Sequence, residues 1–189
     1  MRQRESNAAR GLSSDWTTEQ AEFFQVDLSQ PRFNMEVDSY ERLREQATYF
    51  IHSQWPVDFI SPLGVFEKHI QGVRNTIDFS NESENRPHIL FVSSIGSVAY
   101  WSKLHPDRLV PEELIHDLGI AELGYGESKL ISEIVLEKAG KASGTPSTIL
   151  RIGNIAGPVN RNGLWNKNEW IPAVSAHCDE FSEADCRDV

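Results

Sequence analysis

Apolar runs that do not alternate with polar residues constrain this chain more than any other feature. Ile89-Leu90-Phe91-Val92, the heart of an expected strand over His88–Ser94, is the clearest. A strand with one wet face alternates, whereas a continuous run is buried on both faces, as in parallel sheets. Glu22–Leu28, Thr48–His52 and Ser147–Ile152 read as strands in the same way. Stretches of helical spacing lie between them. Ser39–Ala47 puts Tyr40, Leu43 and Ala47 on one side. Pro62–Phe79 aligns Leu63, Phe66, Ile70, Val73 and Ile77, with Pro62 suited to a first turn. Tyr125–Ala139 turns Leu130, Ile134 and Leu136 inward. Residues 100–118 are broken by Pro106 and Pro111, with one helical turn expected near Glu112-Glu113-Leu114. Strands alternating with helices imply crossover connections. The expected class is therefore α/β, a doubly wound parallel sheet with helices on both faces.

A chain of 189 residues is long enough for one domain with a real core. The expected divisions are a polar N-terminal segment over 1–21, which is loop with one turn of helix, a folded domain over 22–175, and a flexible tail over 176–189. The tail holds both cysteines, Cys178 and Cys186, and two thiols in a polar tail form no disulfide framework. A net charge of −10 repels nucleic acid and anionic lipid, so neither is an expected partner. No apolar run approaches the roughly 20 residues of a membrane helix. The polar start Met1-Arg2-Gln3-Arg4-Glu5-Ser6 leads into no apolar signal core, so the expected location is cytoplasmic. His105, His116 and His177 have no ligand spacing, and no metal site is expected.

Chemistry concentrates at Gly124-Tyr125-Gly126-Glu127-Ser128-Lys129. A Tyr and a Lys four apart share one helix face. A Ser closing a buried strand, Ser94, can be brought beside them. A phenol can hand a proton to a carbonyl oxygen, and an ammonium one turn away favours its ionised form. A dinucleotide-binding sheet also needs a strand, a Gly-rich turn and a helix N-terminus for the pyrophosphate. No G-x-G-x-x-G or G-x-x-G-x-x-G occurs here. The expectation is a chain that starts about one βαβ unit late, as a natural truncation, a fragment or a faulty gene model.

Several segments, taken in order, resemble the thioester reductase domains of the extended short-chain dehydrogenase/reductase type, the male-sterility/NAD-binding group. Such domains end fungal non-ribosomal-peptide-synthetase-like enzymes and carboxylic acid reductases. The segments are Val26-Asp27-Leu28-Ser29-Gln30-Pro31, Ile51-His52-Ser53-Gln54-Trp55-Pro56-Val57-Asp58-Phe59, Phe66-Glu67 through Gly72-Val73-Arg74-Asn75, Phe91–Ile95, Gly124–Lys129 with Glu133, Leu150–Gly157 and Gly163–Pro172. The resemblance implies a Rossmann-like fold lacking its first βαβ unit, and NADPH as cofactor. It implies a carrier-protein-bound acyl thioester as substrate, reduced to aldehyde or alcohol in secondary metabolism.

It further implies Ser94, Tyr125 and Lys129 as catalytic residues. Asp27, Leu28, His52, Ser53, Tyr125, Lys129, Gly153 and Asn154 would line the cofactor. Some of these residues have plainer readings. Asp27 could cap the turn before Ser29. His52 could be a core histidine. Arg151 either ties strand to helix as half of a buried ion pair, because buried charges are paired, or touches ligand. Trp165 and Trp170 would line the acyl channel or stand exposed. Two other functions stay open. One is a non-catalytic remnant that binds a partner or associates with itself through an exposed sheet edge. The other is a different extended short-chain enzyme, such as a nucleotide-sugar epimerase, which the Trp55–Phe59 and Trp165–Pro172 segments disfavour.

Overall fold

The computed structural model describes residues 2–157, 164–165, 169 and 171–175. Two compact units emerge, one of residues 1–23 with 154–189 and one of Phe24–Gly153. In the first, helix α1 spans Arg2–Ala8, two turns where loop with one turn was expected. Arg10 and Leu164 join through a backbone hydrogen bond of 3.3 Å.

The second unit carries the sheet. Strands β1 (Tyr49–His52), β2 (His88–Ser94) and β3 (Ser147–Ile152) lie in the order β1-β2-β3, all parallel. The register pairs His52 with Phe91 and Ser94 with Ile152. Helix α2 (Val37–Gln46) precedes β1, α3 (Glu67–Glu82) connects β1 to β2, and the short α4 (Trp101–Leu104) and α5 (Leu123–Ser143) lie between β2 and β3. The parallel α/β class read from the sequence is therefore present, and β2 and β3 keep the bounds the apolar runs predict.

Three expectations change. Glu22–Leu28 forms no strand. A strand needs a ladder, and β1 pairs only with β2 among the described residues. The run instead serves side-chain packing. Phe24 lies beneath the Arg42 guanidinium, 5.8 Å from ring centre to carbon, and Leu28 packs beside Phe33, Tyr40 and Phe79. The helical turn expected near Glu112 is a bend; the helical pieces fall at Trp101–Leu104 and Leu118–Ile120. Finally, the described helices that pack on the sheet cover one face. Val73 and Ile77 of α3 and Leu136 of α5 meet Ile89 and Phe91 in one cluster. Both crossovers step in the same direction along the sheet, and a fixed right-handed crossover then puts both helices on the same side. On the opposite face Tyr49, Ile51 and Leu150 are exposed.

Candidate active site

The C-terminal end of a parallel strand points its last residues out of the sheet, where open α/β folds bind ligands. Ser94 ends β2 there. Its Oγ accepts the Gly96 N–H at 3.1 Å, capping the turn at Ile95–Val98. With that lone pair occupied, the hydroxyl proton remains available to a ligand. A methyl group added at Gly96 would lie 3.4 Å from Ser94 Oγ and 3.6 Å from a ring carbon of Tyr125. Ser94 and Tyr125 therefore flank one point.

The first turn of α5 reaches that point because Gly124 and Gly126 lack side chains. A Cβ on Gly124 would stand 2.4 Å from the Leu63 nitrogen, and one on Gly126 would stand 2.3 Å from the Gly96 oxygen. Both neighbours are backbone and cannot yield. The sequence Gly-Tyr-Gly thus wedges the tyrosine between the Ser61–Leu63 segment and the turn that follows Ser94. Leu123, just before, takes a left-handed φ of 54°, a strained conformation for a branched residue. The Tyr125 ring is buried edge-on against Phe59, with centroids 4.9 Å apart, and against Phe66 at 6.2 Å.

One turn on, Lys129 is 2% exposed. Its Nζ donates to the Val92 carbonyl at 2.7 Å. Rings supply the rest of its surroundings: Trp55, Phe91 and Tyr125, with centroids 4.2, 5.0 and 5.9 Å from the ammonium. Burial brings the Lys129 amine down to about 7, against a smaller opposite pull from Glu133.

A further turn on stands Glu133, fully buried. It accepts hydrogen bonds from Ser93 Oγ and, at 2.8 Å, from Ser97 Oγ, and it pairs with Arg151 at 2.7 Å. Arg151 also donates to the Glu113 carbonyl at 3.2 Å. The buried-pair reading of Arg151 is thus what the structure contains. Ser93 and Ser97 bracket Ser94, so the carboxylate fixes the turn on which the candidate catalytic serine sits. The sequence signal was Glu133 at i+4 from Lys129, on the same helix face as the Tyr–Lys pair.

The expected cofactor-lining residues are less uniform. Asp27 is exposed and caps the turn, taking the Ser29 hydroxyl at 2.7 Å and the Ser29 N–H at 3.0 Å. The Ser29 hydroxyl, then its N–H, holds that carboxyl below the usual range. The Leu28 carbonyl is tied to α3 by Asn75 Nδ2 at 2.7 Å, a role for Asn75 that the sequence did not disclose. The His52 side chain turns away from the strand end into the helix layer, 2% exposed, with Nδ1 3.2 Å from Thr76 Oγ1. Thr76 spends its proton on the Gly72 carbonyl at 2.9 Å, so Nδ1 carries the imidazole hydrogen. Nε2 is then a buried acceptor without a partner among the described residues. Burial first, then the Lys129 and His69 charges, push His52 down to about 4. Ser53 and Gly153 are exposed at the ends of β1 and β3, and Asn154, also exposed, follows in the first unit. In that unit Trp165 is half-buried, 3.0 Å from where a Cβ on Gly157 would stand. Trp170, Cys178 and Cys186 lie outside the described residues.

Comparison with known proteins identifies the group. A family model described as "Male sterility protein", of NAD-binding type, matches residues 2–181. The chain belongs to that family. A carboxylic acid reductase of Neurospora crassa is 42% identical over 175 residues, which are 93% of this chain and 16% of that protein. An adenylate-forming reductase of Serpula lacrymans is 35% identical over 155 residues, covering 80% of this chain and 13% of the relative. The chain thus spans less than a fifth of the length of these relatives. Among solved structures, the terminal R domain of the myxalamid biosynthetic pathway superimposes with a TM-score of 0.74 at 21% identity, over 93% of this chain and 44% of that one. A thiolation-reductase di-domain from an archaeal non-ribosomal peptide synthetase gives 0.65, also at 21%, over 89% and 44%. At such identity the likeness is one of fold.

A hydroxyl at the end of β2 and a phenol in the first turn of α5 flank one point, and the ammonium lies behind the phenol, an order that suits the nicotinamide end of a dinucleotide. Among the described residues no glycine-rich turn carries a strand into a helix, so they offer no cradle for its pyrophosphate.

Proposed function

We propose that this chain is the catalytic portion of an NADPH-dependent reductase that converts carrier-protein-bound acyl thioesters to aldehyde or alcohol in secondary metabolism, in the cytoplasm. The observation that carries the reading is that Ser94 Oγ and the Tyr125 ring lie 3.4 and 3.6 Å from one point beside Gly96, with the Lys129 ammonium 5.9 Å from that ring's centre. Family membership and the named reductase relatives support it. The thiolation-reductase di-domain supports a carrier-bound substrate by analogy.

The reduced nicotinamide supplies hydride when bound. The chain's own residues handle the oxygen. Ser94 donates its free proton to the thioester carbonyl oxygen and fixes it beside Tyr125. Tyr125 then gives that oxygen a proton as charge develops, and the hemithioacetal so formed re-forms a carbonyl by breaking its C–S bond, releasing the aldehyde and the carrier's thiol. Lys129 holds positive charge one turn away, which favours the phenolate left behind. Phe59, packed on the Tyr125 ring, keeps water from one side of the phenol. Asp27, Leu28, His52, Ser53 and Gly153 are proposed to border the cofactor, His52 through its backbone.

Calorimetry with NADPH on the purified chain tests this, with Tyr125→Phe and Lys129→Ala beside it. Micromolar binding weakened by Lys129→Ala, followed by aldehyde release from an acyl-carrier thioester that Tyr125→Phe abolishes, is the expected result. No binding at millimolar cofactor would overturn the stand-alone enzyme. A second reading, a partner-binding or self-associating fragment, draws on Tyr49 and Ile51, exposed on an edge strand.

A further inference from the structure

Trp55 packs against the core and also touches the Tyr-Lys turn. It stands on the segment that leaves β1, and its indole makes two separate kinds of contact with α5. The ring face lies 4.2 Å from the Lys129 ammonium. The ring nitrogen donates to Ser128 Oγ at 3.2 Å, and Ser128 in turn donates to the Tyr125 carbonyl at 2.7 Å. One side chain thus holds both the residue between Tyr125 and Lys129 and the lysine itself.

An ammonium cut off from water needs other partners. Lys129 has one hydrogen bond among the described residues, to Val92. Trp55, the nearest ring, offers the negative face of its π-system, the best of the aromatic faces for a cation. Phe91 adds a second face at 5.0 Å. The other titratable groups facing the ammonium are Tyr125 and Glu133 on its own helix, His52 of β1 and His69 of α3. Both imidazoles also pack on the indole, His52 at 6.2 Å and His69 at 5.4 Å between ring centres.

We propose that Trp55 is a positioning residue of the candidate active site, its indole face holding the Lys129 ammonium and its N–H bracing the turn that presents Tyr125. The proposal rests on the reductase reading for its purpose and on geometry for its content. A leucine there, apolar though smaller, gives the cation no π face in place of the indole. Lys129 would then lose its proton more readily. A phenyl group keeps the face and loses only the N–H.

The test needs neither cofactor nor turnover, so its failure is distinct from failure of NADPH binding. The full chain is labelled with 15N at lysine Nζ, and the Lys129 signal, assigned with Lys129→Met, is followed against pH. In wild type its midpoint is expected near 7, apart from the other lysines. In Trp55→Phe it should stay within about half a pH unit. In Trp55→Leu it should fall by a unit or more, a tenfold or greater fall in the ammonium-to-amine ratio at fixed pH. An unmoved midpoint in folded Trp55→Leu overturns the proposal, and so does a wild-type Lys129 that titrates with the surface lysines. If Trp55→Leu does not fold, 5-fluorotryptophan decides. The 19F signal of Trp55, assigned with Trp55→Phe, should step at the Lys129 midpoint, keep the step in His69→Gln and lose it in Lys129→Met. Absence of that step in wild type refutes the coupling.

Discussion

Replacing Lys129 by methionine should make this protein more stable at neutral and mildly acidic pH while removing its candidate proton-transfer partner. The magnitude follows from burial. Lysine in the unfolded chain holds its proton up to about 10.5, whereas Lys129 in the fold releases it near 7. Between these values the unfolded state binds the extra proton, so wild-type stability rises with pH across the window. Below about 7 both states are protonated and the full cost of the buried ammonium is present. A gap of about 3.5 pH units at about 1.4 kcal/mol each sets a ceiling of about 5 kcal/mol. Methionine forfeits the bond to the Val92 carbonyl, worth about 1 kcal/mol. A net gain of roughly 2–4 kcal/mol is expected at pH 6, fading towards zero or slightly below by pH 10. Urea unfolding of both chains at intervals from pH 6 to 10 measures the difference, in which other titrating groups cancel. A difference that does not vary with pH, or a variant less stable at pH 6, would refute the reasoning. A stabilising loss of function here would mark Lys129 as a charge kept for chemistry.

Three other expectations follow from the same geometry. Gly126→Ala drives a methyl into the Gly96 carbonyl at 2.3 Å and should cost several kcal/mol, on the order of an overpacked core site, whereas Gly64→Ala, with nothing within 4 Å, should leave the unfolding midpoint near wild type. Glu133→Ala leaves Arg151 facing a vacated carboxylate site and should cost about 3–5 kcal/mol by chemical denaturation. Unfolded histidine takes a proton near 6.5 but His52 only near 4, so stability should fall as pH drops through that interval by up to about 3 kcal/mol; His52→Phe should flatten the slope, and an unchanged slope would count against the burial account.

What the sequence determined and what it left open differ by range. The strands at His88–Ser94 and Ser147–Ile152 were legible as short runs rich in apolar and β-branched residues, although the burial on both faces that such runs suggest is absent: β2 alternates buried with half-buried positions and β3 alternates half-buried with exposed ones. The Tyr125–Lys129 pair was legible because a helix repeats every turn. Glu22–Leu28 misled because an apolar run states a wish for burial but not its form. Whether it ladders depends on a neighbouring strand, and its Phe24 and Leu28 found side-chain partners instead. The aromatic enclosure of Lys129 joins Trp55, Phe91 and Tyr125, residues tens of positions apart, and no local pattern pairs them. The same holds for Glu133 with Ser93, Ser97 and Arg151. Local periodicity decides which residues turn inward; only the crossing of α5 over the strand ends decides which of them meet there.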